Sequence, residues 1–183
     1  MPDEIFDIHV HPYHPDHFAP GTWAFLKSKG PLGCAEHREA LQRYMSAKTI
    51  HGLYFGMPHQ TADRVAINNF VSDEVSQRGT PLSRALMLVT PEDDREVVAQ
   101  ALRSGRFCGI KVYHCYSGRP DTMNATVEEY APDWMWELLH EVQGIMLLHI
   151  VRDGAMADEA NQQSVRRLCR AYPKAQLILA HIG

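Results

Sequence analysis

No apolar run in this 183-residue sequence approaches the ~20 residues that a membrane-spanning helix needs. The N-terminus, Met-Pro-Asp-Glu, also lacks the basic and apolar regions of a secretory signal. An excess of positive charge is missing as well: the formal net charge is -4, which disfavours the nucleic-acid-binding class, since those proteins cluster Lys and Arg. We therefore expect a cytoplasmic enzyme with a small-molecule partner and neither a nucleic-acid nor a membrane partner.

The cysteines form no Cys-x-x-Cys pair, which excludes the usual thiolate zinc motif and a disulfide framework. They are Cys34, Cys108, Cys115 and Cys169, and we expect reduced thiols. A Gly-rich phosphate loop is also absent. Histidine, in contrast, is abundant, with 11 among the 183 residues, and several of these histidines stand at the ends of apolar runs.

Short apolar runs alternate with helical patterns along nearly the whole sequence, which is typical of βα units and a parallel sheet. Two irregular segments, residues 12–33 and 117–126, follow predicted strands, and we interpret them as loops at the carboxyl ends of those strands. The predicted strands are residues 5–10, 51–56, 83–89, 108–113, 144–150 and 175–181. The predicted helices are residues 35–47, 62–78, 91–104, 132–142 and 158–172.

Six βα units fit either an open doubly wound sheet or about three quarters of a TIM-type (β/α)8 barrel, which usually takes about 250 residues. The lack of a phosphate loop favours the barrel. The sequence ends at Ala180-His181-Ile182-Gly183, directly after an apolar run. We therefore predict that residues 1–183 form a single α/β barrel domain without its C-terminal strands. Unpaired strand edges favour aggregation or partner pairing, so we expect either more chain or a partner, for which a homo-oligomer is one candidate.

The first strand presents a pattern suited to metal binding. Asp7, His9 and His11 stand at alternate positions, and Phe6, Ile8 and Val10 occupy the positions between them. Because successive strand side chains point to opposite faces, we predict one face with a carboxylate and two imidazoles and another with apolar groups. Two adjacent imidazoles can chelate zinc or a similar divalent ion. The alternative is a polar edge strand with solvated histidines.

Two later apolar runs each end in a histidine, His149 in Leu-Leu-His149 and His181 in Leu-Ile-Leu-Ala-His181. Either one alone could be a buried histidine bonded to a backbone carbonyl. Convergence of histidines at three strand ends is harder to explain by packing, because each buried imidazole needs its own hydrogen-bond partner.

The Asp-x-His-x-His strand, the segment Gly-Ile-Lys111-Val, the Leu-Leu-His149 run and the Leu-Ile-Leu-Ala-His181-Ile-Gly run together resemble the amidohydrolase superfamily. The similar branch is the amidohydrolase-2 group, metal-dependent hydrolases related to aminocarboxymuconate semialdehyde decarboxylase. The resemblance covers essentially the whole chain in the right order. The family's last key residue, an aspartate after strand eight, has no counterpart among these residues; Asp153 and Asp158 follow the wrong strand.

The resemblance implies that His9, His11 and His149 bind one divalent metal ion, with zinc expected, and that His181 orients or deprotonates the metal-activated water. Binuclear relatives use a carboxylated lysine as a bridge, so Lys111 is the candidate bridge to a second metal; the alternative is a strand lysine in an ion pair. Residues that follow strands are candidate substrate contacts, and surface placement is their alternative. The candidates are Tyr113, His114 and Arg152, with His14, His17 and His59 as rim residues.

The predicted function is hydrolysis of a C–N or C–O acyl bond of a small molecule through a metal-activated water. One alternative is non-oxidative decarboxylation of an aromatic or unsaturated carboxylic acid on the same scaffold. A third interpretation is a non-catalytic metal-binding or interaction protein. The sequence does not separate hydrolysis from decarboxylation, because both use the same metal site.

Overall fold

Strands and helices alternate along the computed structural model, which describes residues 3–45 and 49–182. The strands in this part of the chain are β1 (Glu4–Val10), β2 (Thr49–Tyr54), β3 (Arg84–Ala85), β4 (Met87–Leu88), β5 (Gly109–Val112), β6 (Ile145–Leu148) and β7 (Gln176–Leu179). The helices are α1 (Ala24–Lys29), α2 (Cys34–Gln42), α3 (Arg64–Arg78), α4 (Arg95–Arg103), α5 (Val127–Tyr130), α6 (Asp133–Val142) and α7 (Glu159–Ala171).

The strands form two sheets, one in the order β1-β2-β3 and one in the order β4-β5-β6-β7. The pairs β1/β2, β2/β3, β5/β6 and β6/β7 are parallel. Parallel neighbours need a crossover connection, usually a helix, and α2, α3, α6 and α7 occupy such positions in the chain. The α/β class with parallel pairing is therefore confirmed, and the eight-stranded barrel stays a prediction.

The third predicted strand, residues 83–89, is divided at Leu86. Leu86 N donates to Tyr54 O at 2.8 Å, next to β3, whereas Val89 N donates to Lys111 O at 3.1 Å, beyond β4. The extended segment thus changes its hydrogen-bonding partner from β2 to β5. The chain divides at this segment into two compact units, the N-terminal unit (residues 1–87) and the C-terminal unit (residues 88–183). The single domain over residues 1–183 stays a prediction.

Each unit buries its own apolar core against its own sheet. Side chains from β2 and α3 fill the N-terminal core, and side chains from α4, α6, β6 and α7 fill the C-terminal core. Fully or nearly fully buried examples are Ile50, Phe55, Ile67 and Val71 in the first, and Val98, Trp136, Leu139, Leu148 and Leu168 in the second. No helix in the described ranges is long and apolar enough to cross a membrane.

The predicted helices appear with shifted ends. The first one spans Cys34–Gln42, and its predicted continuation through residues 46 and 47 lies outside the described residues. Helix α4 begins later than predicted, because Asp94 is its N-cap and accepts from the N–H groups of Glu96 and Val97. The predicted loops 12–33 and 117–126 contain local structure: α1 and a 3-10 turn at Pro15–His17 in the first, and a 3-10 turn at Thr122–Asn124 in the second.

Candidate metal centre

His9 and His11 stand side by side at the carboxyl end of β1. Their Nε2 atoms are 3.2 Å apart, and their rings meet edge to face. Both rings also pack edge to face against Phe55, which follows β2, at centroid distances of 4.9 and 4.7 Å. The aromatic packing restricts the rotation of both imidazoles.

A bulge in β1 changes which residues share a face with these histidines. Asp7 is paired with Gly52 and Val10 with Tyr54, so three steps along β1 match two steps along β2. Side chains alternate on each strand, and the extra residue therefore puts Asp7 and Val10 on one face. The prediction that Asp7 shares a face with His9 and His11 is wrong. The sequence pattern could not show the inserted residue.

The exposures of the β1 side chains agree with this arrangement. Val10, on the Asp7 face, is 5% exposed, whereas Phe6 and Ile8 are 56% and 54% exposed. The predicted apolar face of Phe6, Ile8 and Val10 therefore does not exist as one surface. Helix α2 covers the Asp7 face, because its His37 contacts both Asp7 and Tyr54.

The chemistry and spacing of the His9–His11 pair fit a divalent metal. Two Zn–N bonds of about 2.0–2.1 Å at a tetrahedral angle hold their nitrogens about 3.3–3.4 Å apart, close to the 3.2 Å between the two Nε2 atoms. His11 Nδ1 lies 3.3 Å from Gly56 O, and a carbonyl oxygen can only accept, so Nδ1 carries the proton. That tautomer leaves the lone pair on the Nε2 that faces His9, as a metal ligand requires.

His149 and His181 lie together in the C-terminal unit, with ring centroids 5.2 Å apart. His149 directly follows β6, and the buried hydroxyl of Tyr130 donates to its carbonyl oxygen at 2.9 Å, which ties this position to α5. His181 lies in a 3-10 turn that follows β7, with φ 57°. The predicted strand to residue 181 thus ends at Leu179. Both histidines are at the carboxyl ends of adjacent parallel strands, as expected.

Tyr113 and His114 extend the same group of rings. Their ring centroids are 5.5 and 5.4 Å from that of His149. His114 Nδ1 donates to Thr122 O at 3.1 Å, and burial, partly opposed by this hydrogen bond, lowers the pKa of His114. Burial raises the pKa of Tyr113, so its phenol stays protonated. A substrate contact by either residue stays a prediction.

Lys111, in the middle of β5, is 0% exposed. Its Nζ lies 4.4 Å from the centroid of the Tyr113 ring, a cation–π distance. Burial lowers the pKa of Lys111 to about 7, so a large share of the amine is neutral near neutral pH. A lysine amine must be neutral before it can be carboxylated to form a metal bridge. The bridging role of Lys111 stays a prediction.

Arg152 is held by a carboxylate of its own chain. Its Nε lies 3.3 Å from Asp158 Oδ2, and Asp158 is also the N-cap of α7. Arg152 has φ 80°, a left-handed conformation that is uncommon for a residue with a side chain. A bidentate contact with a substrate carboxylate would have to use the other nitrogens of the Arg152 guanidinium. This substrate contact stays a prediction.

Each of the three candidate rim histidines packs against other rings of the N-terminal unit. His14 and His17 have ring centroids 5.3 Å apart, and His17 lies 5.5 Å from Phe70. His59 packs against Trp23 at 5.2 Å. Burial and the nearby His14 lower the pKa of His17.

Sequence reasoning missed two residues of the group around Asp7: His37, which contacts Asp7, and Tyr54, which contacts His37. Neither stands at the end of an apolar run, which was the signal that identified the other histidines. Within residues 3–45 and 49–182, no group of three or more His, Cys, Asp or Glu side chains is arranged to hold a metal ion.

No protein-family model and no curated protein sequence matches this chain. Solved structures share its fold. They include amidohydrolase 2 from Bifidobacterium longum subsp. infantis, with 12% identity and TM-score 0.59 over 96% of this chain and 60% of that one. A 2,6-dihydroxybenzoate decarboxylase complexed with 2,6-dihydroxybenzoate has 16% identity and TM-score 0.57 over 95% of this chain and 65% of that one.

A third structure is the dihydroxybenzoic acid decarboxylase from Polaromonas sp. JS666, with bound manganese and the inhibitor 2-nitroresorcinol. It has 17% identity and TM-score 0.54 over 95% of this chain and 64% of that one. At these identities the likeness establishes the fold. The chain spans between 60% and 65% of the length of these three structures.

Proposed function

We propose that this chain is part of a metal-dependent enzyme of the amidohydrolase superfamily, with a TIM-type barrel. In this proposal His9, His11 and His149 bind one divalent ion. The observation that carries the proposal is the pair of Nε2 atoms of His9 and His11, 3.2 Å apart at the carboxyl end of a parallel strand. The shared fold and the resemblance in sequence support it.

A bound divalent ion in such a site lowers the pKa of water and polarises a carbonyl oxygen. The residues of this chain then have separate tasks. We assign proton transfer to His181, because its ring lies against that of the proposed ligand His149. Tyr113, His114 and Arg152 are assigned to substrate contact, because the first two rings lie beside His149 and all three residues follow β5 or β6.

The proposed reaction is hydrolysis of a C–N or C–O acyl bond of a small molecule. Decarboxylation of an aromatic acid is the second candidate, and the observation that favours it is the shared fold with two dihydroxybenzoate decarboxylases. The metal is zinc in our proposal, since imidazole ligands suit it; the manganese bound in one neighbour makes manganese the second metal to test.

A panel of reactions separates the candidates. Chelator-treated protein, reloaded with zinc or manganese, is incubated with esters, amides, lactones and hydroxybenzoic acids, and both hydrolysis products and carbon dioxide are measured. Hydrolysis without carbon dioxide supports the first candidate, and carbon dioxide without hydrolysis supports the second. Metal binding without turnover of any compound would favour a binding protein and contradict the enzymatic proposal.

The assignment of His181 predicts a specific variant. His181→Asn should reduce kcat by about 100-fold or more, because a positioned proton-transfer group contributes 10²–10⁴-fold, and should retain the metal content of the unchanged protein. Loss of metal from this variant would instead make His181 a ligand. His140→Ala is the matched control, because His140 lies on α6 and contacts Lys174 and Tyr172; it should retain both activity and metal.

A further inference from the structure

Asp7 links the β1 bulge to two buried side chains of the N-terminal unit. Its Oδ1 accepts the N–H of His9 at 3.1 Å, and its Oδ2 lies 3.1 Å from His37 Nε2. The other ring nitrogen of His37, Nδ1, lies 2.9 Å from the hydroxyl of Tyr54. The hydrogen bonds form one continuous chain from β2 through α2 to the backbone of the proposed metal-binding strand.

The bond between Asp7 and His9 closes the bulge. An aspartate that accepts the N–H two residues later forms an Asx-turn, which is a local alternative to ladder pairing. Here the turn falls where β1 and β2 change register, between Asp7 and Val10. Because a bulge re-aims the side chains that follow it, this turn puts His9 and His11 on the face that contacts Phe55.

The hydrogen bond at the second oxygen of Asp7 has a fixed direction. A carboxylate only accepts, so His37 Nε2–H donates to Asp7, and Nδ1 of the same ring lies within hydrogen-bonding distance of the Tyr54 hydroxyl. The hydrogen bond from His37 holds the pKa of Asp7 below its usual value, while burial opposes this shift. His37 is 7% exposed and Tyr54 is 0% exposed, so water competes little for these bonds.

Gly52 makes the position of Tyr54 attainable. Gly52 is the partner of Asp7 across the β1/β2 pair, and the Tyr54 side chain folds back over it. A Cβ at position 52 would lie 2.4 Å from Cζ of Tyr54 and 2.7 Å from its hydroxyl oxygen. The missing side chain of Gly52 thus leaves the space through which the hydroxyl reaches His37.

We propose that Asp7, His37 and Tyr54 are positioning residues, which fix the β1 bulge and thereby hold the imidazoles of His9 and His11 as a metal-binding pair. This inference rests on the proposed metal site for its functional meaning. The three residues lie on the opposite face of the strand from the two imidazoles, and they act through the backbone of β1.

Zinc affinity, measured by competition with a chromophoric chelator, tests the proposal without any assay of activity. Asp7→Ala should raise the dissociation constant for zinc by about 10–100-fold, the usual effect of losing a group that orients a metal ligand. Asp7→Asn retains an oxygen acceptor and should recover part of the affinity. Tyr54→Phe removes only the hydroxyl at the far end of the hydrogen-bonded chain and should give a smaller loss of zinc affinity. This variant replaces Asp7→Ala in the test if Asp7→Ala folds poorly.

Val71→Ala is the matched control for general destabilisation. Val71 is a fully buried α3 residue of the same unit, and its truncation loses packing without changing the hydrogen-bonded chain. It should bind zinc as tightly as the unchanged protein. An Asp7→Ala variant that also keeps full zinc affinity overturns the proposal, and so does an equal loss of affinity in Val71→Ala.

Measurements on the metal-free protein separate this proposal from the metal site itself. Proton NMR should show slow exchange of the His9 amide and a cross-relaxation contact between the His9 and His11 rings, and Asp7→Ala should lose both. Failure of the unchanged protein to bind zinc would refute the metal site alone. Retention of the slow amide and of the ring contact in Asp7→Ala would overturn the positioning role.

Discussion

Lys111 has a fully buried amine in the middle of a parallel strand. Its surroundings include the ring of Tyr113, 4.4 Å from Nζ, and burial lowers its pKa to about 7 from the usual value of 10.5. Charged lysine is costly to bury, so Lys111 costs stability wherever the unfolded chain would carry that charge.

The stability of the protein should therefore depend on pH through Lys111. Between pH 7 and about 10.5 the unfolded chain binds a proton that the folded chain does not, so folding weakens as the pH falls, by at most about 1.4 kcal/mol per pH unit. Lys111→Met removes this contribution. We expect its stability relative to the unchanged protein to increase progressively from pH 10 to pH 7 in urea unfolding. A difference that is constant across this range would contradict the buried, neutral amine.

Lys174→Met is the control for that experiment. Lys174 is exposed, and its replacement removes one lysine without opening or filling a buried space. The pH-dependent difference should be specific to the Lys111 variant.

The residues that the sequence identified share one property, which is a polar side chain that interrupts an apolar run. His149 and His181 could be placed at strand ends for that reason. His37 offers no such contrast, because it lies among polar residues of α2. Tyr54 reads as one more apolar residue of β2. The contacts from Tyr54 to His37 and from His37 to Asp7 depend on packing between elements, and a single sequence does not specify it.

At the scale of the elements, the positions of the strands were easier to predict than their pairing with one another. The runs that became β5 and β6 are apolar because most of their side chains are buried. The division of residues 83–89 into two short strands follows from backbone partners on β2 and β5. The bulge in β1 likewise follows from the Asp7 hydrogen bond, which side-chain alternation cannot reveal.

Gly109 shows how closely two strands approach. A Cβ at this position would lie 2.1 Å from the carbonyl oxygen of Ile145, its partner on β6. Gly109→Ala should cost about 2–3 kcal/mol of unfolding free energy, because backbone rather than a flexible side chain must move. Urea unfolding with an unchanged slope would measure this loss.

Gly118→Ala provides the comparison. Gly118 has φ 73° with nothing within 4 Å of an added Cβ, so that variant should lose only the roughly 1–2 kcal/mol of a left-handed alanine. Equal stability of Gly109→Ala and the unchanged protein would mean that β5 and β6 are not paired in this register.

At the scale of the whole molecule, each unit contributes two of the four histidines that the proposal uses. His9 and His11 follow the parallel pairing of β1 with β2, and His149 and His181 follow that of β6 with β7. Carboxyl ends of parallel strands are where enzymes of this fold class build their sites. A metal measurement can test the proposed ligand set directly.

The decisive measurement is the zinc content and zinc affinity of the chelator-treated and reloaded chain, by mass spectrometry and chelator competition. Four proteins are compared: the unchanged chain, the double variant His9→Ala with His11→Ala, His149→Ala, and the control His140→Ala. We predict about one zinc per chain in the unchanged and control proteins and loss of zinc in the other two. No zinc in the unchanged chain, or one zinc retained without His9 and His11, would contradict this prediction.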